Sequence, residues 1–464
     1  MSADENHYDI IILGGGSAGY AAARTALEYT QKVAVVDGGS ELGGLCILRG
    51  CMPSKTLLYS AEIAHVANHG EKLGLETSGV RVNPAKLQER KRRLIGEFAD
   101  YRAGQLQDGR FDLFRSKAKF LDHLTISLDD GKELWADKYV ISTGSVIHKP
   151  SISGLNEIES LTSDEILSLS ELPESIVVLG GGIVACELAQ YLNRSGVRVT
   201  MVQRNPFLLK ETSPEASRTV HKALEDEGIR IFTETSLNGV RESGSQVVVS
   251  FQDANGPHVV VADKLFNALG RKPATESLDL DQADVQLTAS GHIQTNEFQQ
   301  STNPAIYAAG DCAGPHEIVH VAIMQGEIAA HHALGGKQRV IDYDHVLKIV
   351  FTDPQVALVG LSRAEIVARG IDFCEASYPF FDHGKSLVMD ANYGYVRVFA
   401  RKQDGRVIGA ECVGKDASEC IHSLSVAVAN NLSISDLLKV HWYHPTLSEI
   451  WTYPLEDIQE EIAG

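Results

Sequence analysis

Sulfur is scarce in this chain of 464 residues, which holds seven cysteines and five methionines, and tryptophan is rarer still at three. So few cysteines over such a length exclude a disulfide-scaffolded domain, and the odd number leaves at least one unpaired. A native disulfide here is then expected to be catalytic, in a reducing cytoplasm. Positive charge is also short: 42 Lys and Arg against 61 Asp and Glu give a net charge of −19. That balance argues against nucleic acid or an anionic membrane as the main partner. No apolar run approaches the length of a membrane span. The first residues, Met1 to Asn6, are acidic and lack a basic segment or an apolar signal core, so no export signal is expected.

Glycine, by contrast, is placed with purpose. Tyr8 to Leu13 reads as an apolar strand, followed by Gly14-Gly15-Gly16-Ser17-Ala18-Gly19 and a helical pattern to about Tyr29. A second strand, Lys32 to Val36, ends on Asp37. In this strand–GxGxxG–helix–strand unit, Gly14, Gly16 and Gly19 permit a tight turn and close approach to a pyrophosphate. Asp37 stands where a ribose diol is held. The pattern repeats. Ser175 to Leu179 leads into Gly180-Gly181-Gly182-Ile183-Val184-Ala185, and the strand Val197 to Val202 is followed by Gln203-Arg204. Asp37 lies 23 positions after Gly14, and the residue 23 after Gly180 is Gln203. The second unit therefore lacks the acid that would hold a free 2′-hydroxyl. Arg204, with Lys210 nearby, would attract a 2′-phosphate, which favours NADPH over NADH. Surface charge is the plainer reading of both cations.

Between the two units lies Gly43-Gly44-Leu45-Cys46-Ile47-Leu48-Arg49-Gly50-Cys51-Met52-Pro53-Ser54-Lys55. Pro53 suits the first turn of a helix, predicted over Ser54 to Ala67, which would put Cys51 just ahead of a helix N-terminus that favours a thiolate. From spacing alone the two cysteines are a redox pair, half a zinc site, or two unrelated core thiols. The stretch resembles the redox-active segment of the flavin-dependent pyridine nucleotide–disulfide oxidoreductases, among them dihydrolipoamide dehydrogenase, glutathione reductase and mercuric reductase.

Four further stretches carry the resemblance. They are Ser142-Thr143-Gly144-Ser145, Ala268-Leu269-Gly270-Arg271-Lys272-Pro273, Ile306-Tyr307-Ala308-Ala309-Gly310-Asp311-Cys312, and His441-Trp442-Tyr443-His444-Pro445-Thr446-Leu447-Ser448-Glu449. The likeness implies an α/β fold of two Rossmann-like dinucleotide-binding domains, for FAD and NAD(P), plus an α+β C-terminal dimerisation domain. The expected segments are 1–150 and 276–341 for FAD, 151–275 for NAD(P)H, and 342–464 for the interface. It implies FAD on Gly14, Gly16, Gly19, Asp37, Gly44, Lys55, Ala118, Thr143, Gly144, Asp311 and His320. NADPH, with NADH open, falls to Gly180, Gly182, Ala185, Arg204, Lys210 and Gly270.

Electrons would pass from NADPH through FAD to Cys46–Cys51 and on to a disulfide substrate. Cys51 would be the thiolate at the flavin and Cys46 the interchange thiol. His444 would move the proton with Glu449 holding its tautomer, and Lys55 and Glu187 would match the ion pair beside the flavin. The dyad comes from the other subunit in such proteins, so a homodimer with a shared active site is implied, and no metal site. Read alone, His444 would more simply be a capping or packed histidine. Arg49, beside the redox loop, either tunes a thiol or faces solvent. Cys186, Cys312, Cys374, Cys412 and Cys420 are expected in the core. Gln203-Arg204 weighs against NAD-linked dihydrolipoamide dehydrogenase, and a segment Leu455 to Gly464 without a cysteine pair weighs against mercuric reductase. A subunit docked on a lipoyl or thioredoxin-like partner is the alternative of another class.

Overall fold

The computed structural model describes residues 6–463. The chain forms two compact units. One takes the chain as far as Thr56, then Gln88–His148 and Gly270–Ile341. The other takes Leu57–Leu87, Lys149–Leu269 and Asp342–Gly464.

The first unit is built on a mixed sheet whose parallel strands are Asp112–Phe114, Val33–Val36, His7–Leu13 and Glu133–Ile141, with Ile306–Ala308 also beside the last. Thr125–Leu128 and Ala118–Phe120 extend it antiparallel. Ile10, Ile11 and Ile12 are wholly buried, as expected of strands covered on both faces. Register matters more than composition here. Leu13 pairs with Val36 and with Ile141, and Ile141 with Ala308, so four strands end level. Gly14, Asp37, Ser142 and Ala309 therefore leave the sheet along one carboxyl edge, where open α/β sheets bind ligands. The helix Ser17–Ala26 packs on the helix Val319–Ala333 so closely that a Cβ on Gly326 would lie 2.2 Å from the Ala18 carbonyl oxygen.

The second unit repeats this logic with parallel strands Arg230–Phe232, Arg198–Val202, Ser175–Leu179 and Lys264–Asn267 and the helix Ile183–Arg194. A three-stranded antiparallel sheet, Ser236–Ser243, Gln246–Asp253 and Gly256–Ala262, follows in the chain. Its C-terminal part is a five-stranded antiparallel sheet whose edge strand Phe373–Pro379 packs on the helix Thr452–Ala463.

Three element boundaries differ from the sequence reading. The helix placed at Ser54 to Ala67 runs Cys51–Asn68 and is preceded by a short helix, Gly44–Arg49, where a loop was expected. The strand expected from Lys32 begins at Val33. The sequence pattern predicts one long helix over Ala417 to Asn430, and the chain forms two, Ala417–Cys420 and His422–Ala429.

Candidate active site

Gly50 joins the short helix to the long one with a backbone that is neither helical nor extended, φ −129° and ψ −115°. A Cβ there would sit 2.9 Å from the Leu45 carbonyl oxygen and 3.2 Å from the Cys46 Cα, so a glycine is what lets the chain close on itself. The closure brings the half-buried Cys46 thiol into a hydrogen bond with Cys51, and that bond, with desolvation, pushes the Cys46 pKa far up. Cys51 is the first helical residue rather than the one before it, still at the positive end of the dipole. Arg49 is exposed. Arg102, which sequence reasoning did not single out, stacks 4.2 Å over the Tyr20 ring, and its buried Nε and Nη1 have no hydrogen-bond partner among the described residues. Lone cations carry no sequence signature, and only packing reveals this one.

The glycine turn after the first strand is shaped by contact. Gly14 has φ +104°, and a Cβ would lie 2.4 Å from the Ser142 carbonyl oxygen. The Ser142 hydroxyl donates to the carbonyls of Leu13 and Gly14 at 3.0 Å. Gly19 is closed in from the other side, its Cβ position being 1.8 Å from the Gly14 oxygen. Gly16 caps the helix without a side-chain acceptor, and Gly44 lies against it, a Cβ on Gly44 falling 2.6 Å from the Gly16 Cα. Backbone thus meets backbone at Gly16 and Gly44 beside the helix N-terminus, a cradle of the kind a pyrophosphate needs. Asp37 accepts from the Gly15 and Gly39 amides at 2.7 and 2.8 Å and from Arg115 at 3.2 Å.

Thr143 donates to the Ala274 carbonyl at 2.8 Å, and Gly144 has φ +72° over open space. Asp311 accepts from the Ser145 hydroxyl at 2.7 Å, Arg271 donates to the same hydroxyl oxygen at 2.8 Å, and the fully buried Gln325 accepts from the Gly310 amide at 2.7 Å. Ser145, Arg271 and Gln325 were not singled out as site residues, since each is read only through its neighbours. Ala118 opens its strand half-buried, and His320 is exposed in the first turn of its helix.

In the second turn Gly180 has φ +118°, with a Cβ position 2.5 Å from the Ala268 oxygen, while Gly182 faces open space and Ala185 is fully buried. Gln203 follows its strand as Asp37 does. A Cβ on Gly181 would lie 3.0 Å from the Gln203 Cδ, as one on Gly15 would lie 2.8 Å from an Asp37 carboxylate oxygen. The two positions are structurally equivalent. Arg204 and Lys210 are exposed and pair with no carboxylate among the described residues. Gly270, with φ +102°, belongs to the first unit.

His444 Nδ1 lies 3.0 Å from both carboxylate oxygens of Glu449, so the dyad is formed within one chain. Glu449 is buried while the His444 side chain is 79% exposed, its other nitrogen left to meet something from outside. A second histidine, His383, approaches Glu449 Oε1 at 3.4 Å from the buried side. Sixty-one positions of chain separate His383 from His444, and nothing in the sequence joins them. Glu187 is buried and accepts from the Phe351 amide at 2.9 Å. Glu187 and the dyad belong to the second unit, Lys55 and the cysteine pair to the first. The five remaining cysteines are all buried, and burial raises the pKa of each, to about 11 for Cys312 and Cys420. Among the described residues no cluster of His, Cys, Asp or Glu could hold a metal ion.

Residues 8–326 match the pyridine nucleotide-disulphide oxidoreductase family and residues 346–454 match that family's dimerisation domain. The chain belongs to the pyridine nucleotide–disulphide oxidoreductases, whose members use FAD and NAD(P)H. It is 35% identical to the mercuric reductase of Lysinibacillus sphaericus over 96% of this chain and 82% of that one. It is 30% identical to the dihydrolipoyl dehydrogenase of Geobacillus stearothermophilus over 95% of this chain and 94% of that one. The solved structure of LpdA from Mycobacterium tuberculosis superposes with a TM-score of 0.87 at 26% identity, covering 97% of this chain and 99% of that one. The HOCl-induced flavoprotein disulfide reductase RclA of Escherichia coli shares the fold, with a TM-score of 0.86 at 24% identity over 97% of this chain and 99% of that one. The chain is thus an oxidoreductase of the α/β class with a C-terminal dimerisation domain, which indicates a homodimer. Among the described residues no helix is long and apolar enough to cross a membrane.

Proposed function

We propose that this protein is an NADPH-preferring disulfide oxidoreductase that reduces a small or protein-bound disulfide through Cys46 and Cys51 in a reducing cytoplasm. The observation that carries the reading is the hydrogen-bonded cysteine pair at the start of the helix Cys51–Asn68. Cys46 gives its proton to His444 of the second subunit and, as thiolate, attacks one sulfur of the substrate. The S–S bond breaks, a mixed disulfide forms, and the leaving thiolate takes a proton from His444 of the second subunit. Cys51 then gives its proton through His444 to the departing sulfur and attacks Cys46, releasing the second thiol and leaving a Cys46–Cys51 disulfide, so two electrons have passed to the substrate. Glu449 fixes the His444 tautomer with the proton on Nδ1, leaving Nε2 to exchange protons with the thiols. FAD, when bound, supplies the two-electron relay that returns the disulfide to the dithiol with electrons from NADPH.

The glycine cradle at Gly14, Gly16, Gly19 and Gly44 suits a pyrophosphate, with Asp37, Ala118, Thr143, Gly144, Asp311 and His320 along the rest of the FAD path. Lys55 would hold positive charge where the flavin gains electron density. NADPH would lie over Gly180, Gly182 and Ala185, with Gly270 at the end of its path and Arg204 and Lys210 at the 2′-phosphate, since Gln203 stands where an acid would repel it.

Steady-state consumption of NADPH and NADH with lipoamide, glutathione disulfide and an aromatic disulfide tests this directly. Turnover that survives Cys46→Ser would overturn it in favour of direct electron transfer without the pair. A second reading, in which the electrons go to a metal ion, draws on the identity to mercuric reductase. Hg(II)-dependent NADPH oxidation faster than that with every disulfide would put it first.

A further inference from the structure

His383 is fully buried, and so is Ser386, whose hydroxyl stands 2.8 Å from His383 Nδ1. His383 Nε2 makes no hydrogen bond among the described residues, and the carboxylate oxygen it faces is Glu449 Oε1, at 3.4 Å. Burial holds the His383 pKa down, so the ring is neutral and carries one N–H. A neutral ring between a hydroxyl and a carboxylate has one favourable arrangement. Ser386 donates to Nδ1, and the proton on Nε2 points at Glu449, because a lone pair there would meet a negative oxygen.

We propose that His383 is a positioning residue for the His444–Glu449 dyad: its Nε2–H holds the Glu449 carboxylate from the core side while Ser386 fixes its tautomer. Two imidazoles then share one carboxylate. The core-side donor steadies the buried anion and lessens the share of its charge felt by His444. Other titratable groups around this site are Tyr453 and Asp457 on the helix Thr452–Ala463, and Tyr378, whose hydroxyl donates to Asp382 at 3.0 Å. Tyr453 stacks on Tyr378 and meets the His383 ring edge-on at 6.3 Å, with no hydrogen bond to it among the described contacts.

This inference rests on His444 being the proton carrier, so its test needs a readout that does not pass through turnover. The His444 pKa is measured in the holoenzyme by NMR with labelled histidine, assigned with His444→Ala. Beside it runs the pH profile of kcat/KM for NADPH-driven reduction of an aromatic disulfide. In His383→Leu the His444 pKa and the acid limb of the profile are expected to rise together by roughly 0.5–1 unit. His383→Gln, which keeps a donor near the Nε2 position, returns both toward wild type. Should His383→Leu fail to fold, Ser386→Ala is expected to shift both in the same direction by less. An unmoved His444 pKa in the folded variants overturns the proposal. Unimpaired turnover in His444→Ala would instead overturn the functional reading, and the NMR shift would still decide on His383.

Discussion

At the scale of single residues, function follows from which atom can be where. Gly50 carries no side chain because the Leu45 oxygen and the Cys46 backbone occupy the place of one. Gly50→Ala must push these apart, at a strain of about 1–3 kcal/mol. We expect it to weaken the Cys46–Cys51 disulfide relative to the dithiol and to lower kcat while the protein still folds. Quantitative alkylation in a series of thiol–disulfide buffers reads the change, and a midpoint like that of the parent would contradict it. A second case is His65, half-buried near Arg194, where burial foremost brings its pKa down to about 4. A histidine depressed on folding contributes stability above its unfolded value near 6.5, and loses it as the pH falls toward the folded value. We predict that His65→Gln flattens the decline in melting temperature between pH 6.5 and 4, removing a slope worth on the order of 2 kcal/mol. Scanning calorimetry across that range checks it.

At the scale of elements, the sequence carried most of what periodicity and turn chemistry encode. Both strand–glycine–helix units and the segment Ile306 to Cys312 were legible, since glycine turns and apolar strands are local signals. The start of the helix at Cys51 was not. Proline at the third helical position masked a first turn already under way, and a loop of Gly, Leu and Ile reads the same whether or not it coils. His383 and Arg102 were hidden for another reason: their partners are remote in the chain. The equivalence of Asp37 and Gln203, found by counting, is matched by their like placement against Gly15 and Gly181. It yields a prediction for this element. Replacing both Arg204 and Lys210 by alanine removes charge-assisted hydrogen bonds worth about 1.5–3 kcal/mol, so the preference for NADPH over NADH should fall roughly tenfold to a hundredfold. Steady-state kcat/KM with each nucleotide measures it, and an unchanged ratio would return both cations to the status of surface charge.

At the scale of the whole molecule, the cysteine pair and the dyad belong to different units, and a dimerisation domain carries the second. The proposed function has the exposed His444 serve the cysteine pair of the other subunit. Subunits bearing Cys46→Ser and subunits bearing His444→Ala, each inactive as homodimers, should recover activity when unfolded and refolded together. Random pairing gives one intact site in half of the dimers, or about a quarter of the wild-type rate. No recovery, with hybrids present by mass, would mean that each chain works with its own dyad.

The central claim is that Cys46 and Cys51 are the thiols through which electrons leave this protein. Oxidised holoenzyme is mixed anaerobically with NADPH, quenched with an alkylating reagent under denaturing conditions, and mapped by peptide mass spectrometry. The account predicts that NADPH exposes new thiols at Cys46 and Cys51 alone, with the five buried cysteines reduced before and after. Consumption of NADPH with no gain of thiol at those two positions would contradict it.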